Sequence, residues 1–181
     1  MIWIVLGLAL WAGAHFWKRA APASRARLGD RGKGIVAVVS VAGIVLMVIG
    51  YRASEGTFYW GRTPAMTGIN NLLVLLAFYL FATSGAKTRV ARWVRHPQLI
   101  AVVLWAVAHL LVNGDTPSFV LFGGLALWAL AEIAVLGRAT AVTGPAHAVP
   151  IAKEATAVIV TLVLFAVVAG IHTWLGYNPF G

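Results

Sequence analysis

Cysteine is absent from this chain of 181 residues, and charged side chains make up only 10% of it. The first absence excludes disulfides, iron–sulfur clusters, thiolate ligation of a metal and cysteine nucleophiles. The second excludes an ordinary soluble domain, in which roughly a quarter of the residues are charged. Acidic residues are scarcest: 5 Asp and Glu stand against 14 Lys and Arg, so the formal net charge is +9.

Hydrophobic residues fill most of the remaining sequence, at 61%, and the mean hydropathy is +0.88. A helix needs about 20 mostly apolar residues to cross the hydrocarbon of a bilayer. Six stretches approach that length, namely 2–18, 34–51, 66–84, 98–113, 117–137 and 156–176. The sequence therefore predicts an all-α, polytopic membrane bundle of six transmembrane helices that forms one domain over residues 1–181, with the lipid bilayer as its surroundings.

The basic residues are distributed unevenly among the segments that connect the apolar stretches. Twelve of the 14 Lys and Arg residues lie in 18–33, 85–97 and 138–155, and the other two, Arg52 and Arg62, lie in 52–65. Short cytoplasmic loops of membrane proteins carry such an excess. We therefore predict a multi-pass membrane protein with both termini facing away from the cytoplasm. Loop charge of this kind gives no reason to expect a nucleic-acid partner.

A short sequence pattern places histidine at membrane depth. Leu104-Trp105-Ala106-Val107-Ala108-His109 has a near-copy at residues 10–15, which ends in His15, and another at 127–132, which ends in Glu132. Trp at position i−4 lies on the same helix face as His at i, which pairs Trp11 with His15 and Trp105 with His109. An unpaired imidazole in hydrocarbon costs several kcal/mol, so His15 and His109 are candidate site residues. Two such histidines facing each other could hold a haem, although a chain rich in Ala, Leu and Trp also repeats such patterns by chance.

Other polar residues at membrane depth have structural explanations. Glu132 must be paired or protonated inside its span, and a structural ion pair is the expected role. Its candidate partners are Arg138, Arg92 and His96. Arg95-His96-Pro97 puts proline at the first helical position, which is typical of a basic helix cap. Asn70 and Asn71 are expected to cap or bridge helices, and Asn113-Gly114-Asp115 to form a turn.

Four pieces of the sequence resemble the NnrU family of bacterial membrane proteins. The first is His15. The others are Tyr59-Trp60 with Thr67-Gly68-Ile69, the run from Arg95-His96-Pro97 through Ala108-His109-Leu110 to Asn113-Gly114-Asp115, and Phe119-Val120-Leu121-Phe122-Gly123-Gly124. The resemblance implies a role in denitrification, with nitrite and nitric oxide reductase machinery as the expected partner.

Plant and cyanobacterial 15-cis-zeta-carotene isomerases are similar and bind haem b between two helical histidines. The resemblance implies haem b here, with His15 and His109 as iron ligands. His96 then caps the inner surface or, with Arg95 or Arg92, contacts a haem propionate. The isomerases carry a redox-active cysteine three residues before the second histidine, where this chain has Ala106. A haem-dependent cis–trans isomerase of a polyene is therefore an alternative, and a cofactor-free assembly factor is another. A methyltransferase is disfavoured, because Leu99 follows the Arg-His-Pro motif where an aromatic residue is usual.

Depth in the membrane favours a different ligand pair. His15 lies near the inner end of the first span, whereas His109 is roughly 17 Å of helix rise into the fourth. His96 lies at a depth closer to that of His15, so these two residues form a rival pair.

Overall fold

The computed structural model describes residues 1–137 and 148–181 and is all-α apart from a small two-stranded ladder. The predicted Glu132 partner Arg138 lies outside these residues. The described helices are α1 (Ile2–Ala20), α2 (Pro22–Arg27), α3 (Gly29–Arg52), α4 (Pro64–Ala86), α5 (Arg89–Trp93), α6 (Pro97–Val112), α7 (Thr116–Ser118), a π-helical turn (Phe119–Gly123), α8 (Gly124–Gly137) and α9 (Ile151–Trp174). Strands β1 (Phe58–Trp60) and β2 (Gly114–Asp115) pair antiparallel.

Capping residues set the start of several helices. The Thr63 hydroxyl accepts a hydrogen bond from the Met66 backbone N–H (3.2 Å), and Pro64 takes the first turn of α4. The Asp115 carboxylate accepts from the Ser118 N–H at 2.8 Å and begins α7. Such oxygens satisfy N–H groups that have no partner within the helix. The predicted short connection at residues 113–115 is present, but Gly114 and Asp115 form strand β2 rather than a turn.

Glycines allow α1 and α3 to pack closely. A Cβ atom added to Gly7 would lie 2.6 Å from the Gly43 carbonyl oxygen, and one added to Gly50 would lie 2.6 Å from the Ile4 nitrogen. Small residues at such crossings let two backbones approach in a membrane. Helix α4 packs against α6 and α9, and both α1 and α6 pack against the helix formed by residues 116–137. This fifth long helix is therefore the element shared by the two candidate histidine helices.

Four helices of the described chain are long and apolar enough to cross a membrane: Gly29–Arg52, Pro64–Ala86, Thr116–Gly137 and Ile151–Trp174. Helix α1 carries Lys18 and Arg19 in its last turn and is not among them. Helix α6 is apolar but has only 16 residues. The all-α fold and its membrane-helix character are confirmed, whereas the count of six spans stays a prediction.

Both chain termini lie at the same end of the bundle, which we call the terminal end. The Met1 amino group donates to Ser54, just beyond α3. The Arg62 guanidinium donates to the Asn178 carbonyl oxygen (2.6 Å), which joins the start of α4 to the C-terminal segment. At the opposite end, Arg95 donates to the Gly137 carbonyl oxygen (3.2 Å). Which end faces the periplasm stays a prediction based on the charge asymmetry.

Candidate functional site

A cavity of about 730 Å³ lies among the helices and is lined mainly by apolar and aromatic side chains. Volumes of this size are typical of small-molecule and cofactor sites. Its aromatic wall comes mainly from the long helices and includes Trp11, Phe78, Trp105, Phe122, Trp128 and Phe165. The predicted pair Trp11 and Trp105 therefore borders one shared space, together with His109.

His109 is held in one tautomer at the cavity wall. Its ring stacks on Trp105, with centroids 4.8 Å apart, and on Phe122, at 4.7 Å. Its Nδ1 lies 2.8 Å from the Trp105 carbonyl oxygen. A carbonyl only accepts, so Nδ1–H donates and Nε2 keeps its lone pair. This is the arrangement expected of a histidine ready to bind a metal.

His172 of α9 lines the same cavity. Its Nδ1 lies 2.8 Å from the Val168 carbonyl oxygen, which again leaves Nε2 with its lone pair. His172 is within electrostatic range of His109. Sequence reasoning did not connect His172 with His109, because no motif links α9 to α6.

His15 has the same local geometry but a different location. Its Nδ1 lies 2.7 Å from the Trp11 carbonyl oxygen. Its ring lies 4.3 Å from that of Trp11 and 5.0 Å from that of Trp128, centroid to centroid. Both indoles line the cavity, whereas His15 is not among the residues at its wall. The structure thus places His15 behind the two tryptophans, and the ligand pair of His15 and His109 stays a prediction.

Glu132 forms an ion pair with an unexpected partner. Its carboxylate lies 2.6 Å from the Arg19 guanidinium, and the Glu132 side chain is only 4% exposed. Arg19 also donates to the His15 carbonyl oxygen at 3.4 Å. The predicted ion pair exists, and among the described residues its partner is Arg19 of α1. Sequence distance hid this partner, because the packing of α1 on α8 brings the two residues together.

His96 and Arg95 lie at the opposite end, away from the cavity wall. His96 occupies the N-cap position of α6 with φ at 56°, and its side chain makes no capping hydrogen bond. Its Nε2 is buried without a hydrogen-bond partner in the described residues. Burial, together with the charges of Arg95 and Arg19, lowers the pKa of His96 below its ordinary value. His96 and Pro97 thus take the predicted positions at the start of α6, with Pro97 in its first turn.

The polar side chains of the cavity wall cluster at the terminal end. Arg52 and Arg62 line the cavity there, beside Asn70 and Asn71. Asn71 donates to the Pro179 carbonyl oxygen (3.0 Å). With its amide oriented to suit its neighbours, Asn70 donates to the Ala108 carbonyl oxygen (2.9 Å). Both asparagines bridge separate parts of the chain, as predicted. Within residues 1–137 and 148–181, no Asp or Glu lines the cavity.

The donor set suits a porphyrin iron better than a metal held by protein alone. Across the described ranges, no three His, Asp or Glu side chains converge to hold a metal ion. Haem iron takes four ligands from the porphyrin and needs only one or two axial ligands from the protein. Histidines with Nδ1–H bound to carbonyl oxygens meet that need, and the aromatic wall matches a flat apolar macrocycle. The residues present therefore fit haem.

Comparison with protein families matches residues 3–179 to the NnrU protein family. The match covers nearly the whole chain, so the chain belongs to the NnrU family. Neither the curated proteins nor the solved structures give a match. The relation to the carotene isomerases stays a prediction.

Proposed function

Starting from membership of the NnrU family, we propose that this membrane protein binds haem b in the cavity beside His109. One observation carries the proposal: His109 lines an apolar cavity of about 730 Å³ with its Nδ1–H bound to the Trp105 carbonyl oxygen. That hydrogen bond raises the basicity of the opposite nitrogen, Nε2, and fixes the plane of the ring. The Trp105 and Phe122 rings both contact the imidazole and restrict its rotation.

His109 and His15 would hold the haem iron, as the family resemblance implies. His15 has a suitable tautomer, but the indoles of Trp11 and Trp128 separate it from the cavity. Ligation by His15 therefore requires one of these indoles to turn aside. His172 needs no such movement, because it already lines the cavity. His172 is therefore the competing candidate for the second iron ligand. It takes the place of His96 as the rival candidate, because His96 lies at the other end of the bundle.

Haem in this site would supply nitric oxide binding or electron transfer. The chain's own contribution is a cavity wall of aromatic rings and aliphatic side chains that limits the access of water to the iron. Low polarity around haem is one of the properties by which a protein sets its reduction potential. We propose that the protein supports nitrite and nitric oxide reduction in denitrification, in contact with the reductase machinery. Six spans, an inner-membrane location and periplasmic termini belong to the same proposal.

Isomerase chemistry is not part of the proposal. Ala106, one helical turn before His109, is fully buried and offers no thiol for a redox-linked change of ligand. A cofactor-free assembly factor remains the opposing outcome of the experiment, since the histidines could then serve only to bridge helices.

An absorption spectrum of detergent-purified protein tests the proposal. Cells with ample haem supply should yield protein with a Soret band and with split α and β bands after reduction, the signature of low-spin haem b. Haem extracted as its pyridine complex should approach one equivalent per chain, and His109→Ala should lower that content. Wild-type protein without haem under these conditions would overturn the proposal and favour the cofactor-free factor.

A further inference from the structure

The cavity has one positively charged end. Arg52 closes α3, Arg62 lies just before α4, and both are exposed residues that line the cavity. Arg62 is within electrostatic range of His109. The two guanidinium groups and the candidate iron ligand thus belong to the same end of the same cavity. No carboxylate of the described cavity wall neutralises them.

The arginines retain capacity for a ligand. A guanidinium has five N–H donors, and the hydrogen bond from Arg62 to the Asn178 carbonyl oxygen (2.6 Å) uses one of them on a neutral acceptor. Arginine binds carboxylates through two parallel hydrogen bonds, a geometry that lysine cannot reproduce. An apolar cavity with two arginines at its mouth therefore matches an amphiphile with a flat apolar body and carboxylates on one edge.

We propose that Arg52 and Arg62 bind the two propionate carboxylates of haem b, so that the carboxylate edge of the macrocycle faces the terminal end. The inference rests on the proposed function and adds an orientation to it. It departs from the sequence-based expectation that Arg95 and His96 meet a propionate. Arg95 is bound to the Gly137 carbonyl oxygen at the opposite end, outside the cavity wall. Carboxylates are costly in hydrocarbon, so this orientation also makes the terminal end the entrance for the ligand.

Metal-free protoporphyrin IX tests the anchor independently of iron ligation, because it carries the same two carboxylates. Quenching of tryptophan fluorescence reports binding, since Trp11, Trp105 and Trp128 line the cavity. Charge-assisted hydrogen bonds to two carboxylates should make wild type prefer the diacid over its dimethyl ester by about tenfold or more. The double variant Arg52→Gln with Arg62→Gln should bind both porphyrins equally. His109→Ala should keep the preference, because no iron bond contributes.

Two further variants sharpen the comparison. Arg31→Gln is the matched control, because Arg31 is an exposed arginine in the first turns of α3, roughly 30 Å of helix rise from Arg52, and it should leave the preference unchanged. Arg52→Lys with Arg62→Lys should recover part of it, which guards against misfolding of the glutamine variant. Equal binding of diacid and ester by wild type overturns the inference. Loss of the preference in Arg95→Gln also overturns it and restores the opposite orientation. Porphyrin binding with the expected preference but without a haem spectrum supports the anchor and overturns haem ligation.

Discussion

The Glu132 carboxylate and the Arg19 guanidinium, 2.6 Å apart, join α8 to α1 at the end of the bundle opposite the termini. The same guanidinium reaches the His15 carbonyl oxygen. This pair therefore fixes the position of the helix that carries His15 relative to the helix that carries Trp128. The second oxygen of Glu132, Oε1, is buried without a hydrogen-bond partner among the described residues, so within that part of the chain Arg19 supplies the neutralising contact.

Removal of the Glu132 carboxylate, the buried partner of Arg19, should lower the stability of the protein measurably. Glu132→Ala leaves Arg19 without its counter-ion, and loss of one partner of a buried pair costs about 3–5 kcal/mol. Because the Arg19 side chain is 32% exposed, water compensates in part, and we expect about 1–3 kcal/mol. Thermal unfolding in detergent measures the change. The control is Asp30→Ala, whose 2.8 Å pair with Lys33 is exposed; a loss as large in this variant would contradict the argument from burial.

Substitution of Gly7 should disrupt the α1–α3 contact. The added methyl group of Gly7→Ala would meet the backbone oxygen of Gly43 at 2.6 Å, and overpacking of this kind costs about 1–3 kcal/mol. Gly13→Ala is the matched control in the same helix, because nothing lies within 4 Å of its added Cβ. It should be neutral or slightly stabilising. Equal stability of the two variants would show that these helices do not pack through Gly7.

Single histidine variants should identify the axial ligands. We expect His15→Ala and His109→Ala to abolish the low-spin spectrum of bound haem, whereas His96→Ala and His172→Ala retain it. His109 is the stronger prediction, because it lines the cavity. Retention of the spectrum in His15→Ala with loss in His172→Ala would assign the second ligand to His172. The indole between His15 and the cavity gives a further variant: Trp128→Phe should alter haem affinity if His15 is the ligand.

Stability should fall as the pH decreases through the titration range of His96. Because its folded pKa lies below the ordinary value of 6.5, the unfolded chain binds the proton more readily. The contribution of neutral His96 is complete above about pH 6.5 and decreases as the pH falls towards the folded pKa. His96→Asn should remove this component, since asparagine tolerates the left-handed backbone but does not titrate. The free energy of unfolding, measured between pH 7.5 and pH 5, checks this pH dependence. If it falls as steeply with pH in the variant as in wild type, other groups cause the effect.

Fusions at the C-terminus test the topology. A reporter that is active only in the cytoplasm should be silent at Gly181, and a cysteine introduced at Ser84 should react only from the cytoplasmic side. Both expectations follow from the concentration of Lys and Arg in the connecting segments on one side of the membrane. An active fusion at Gly181 would invert the orientation, and the arginines of the cavity mouth would then face the cytoplasm.

Helix periodicity predicted the ring contacts within single helices of the site. The spacing of Trp11 to His15 and of Trp105 to His109 gave the two stacked pairs, now seen with centroid distances of 4.3 and 4.8 Å. These features depend only on helix periodicity and on backbone hydrogen bonds within a few residues.

Features that depend on helix neighbours could not be read from the sequence. His172 meets the cavity of His109 because α9 packs on α4, and Arg19 reaches Glu132 because α1 packs on α8. All these segments are similarly apolar, so hydropathy does not distinguish one neighbour from another. His15 packs against Trp128 and is not among the residues that line the cavity with His109, and the predicted difference in their membrane depth stays a prediction.

The π-helical turn at Phe119–Gly123 sets the rotational phase of the fifth helix. Upstream of its end, Phe122 faces Tyr51 and His109; downstream, Trp128 and Glu132 face α1. A π turn holds one more residue than the α-helical ladder accommodates. Deletion of Val120 would therefore rotate everything after it by about 100° relative to what precedes it. The extra residue in the π turn thus determines which neighbouring helix contacts the part of the fifth helix before it and which contacts the part after it. Insertions or deletions in this turn should therefore be far less tolerated than substitutions.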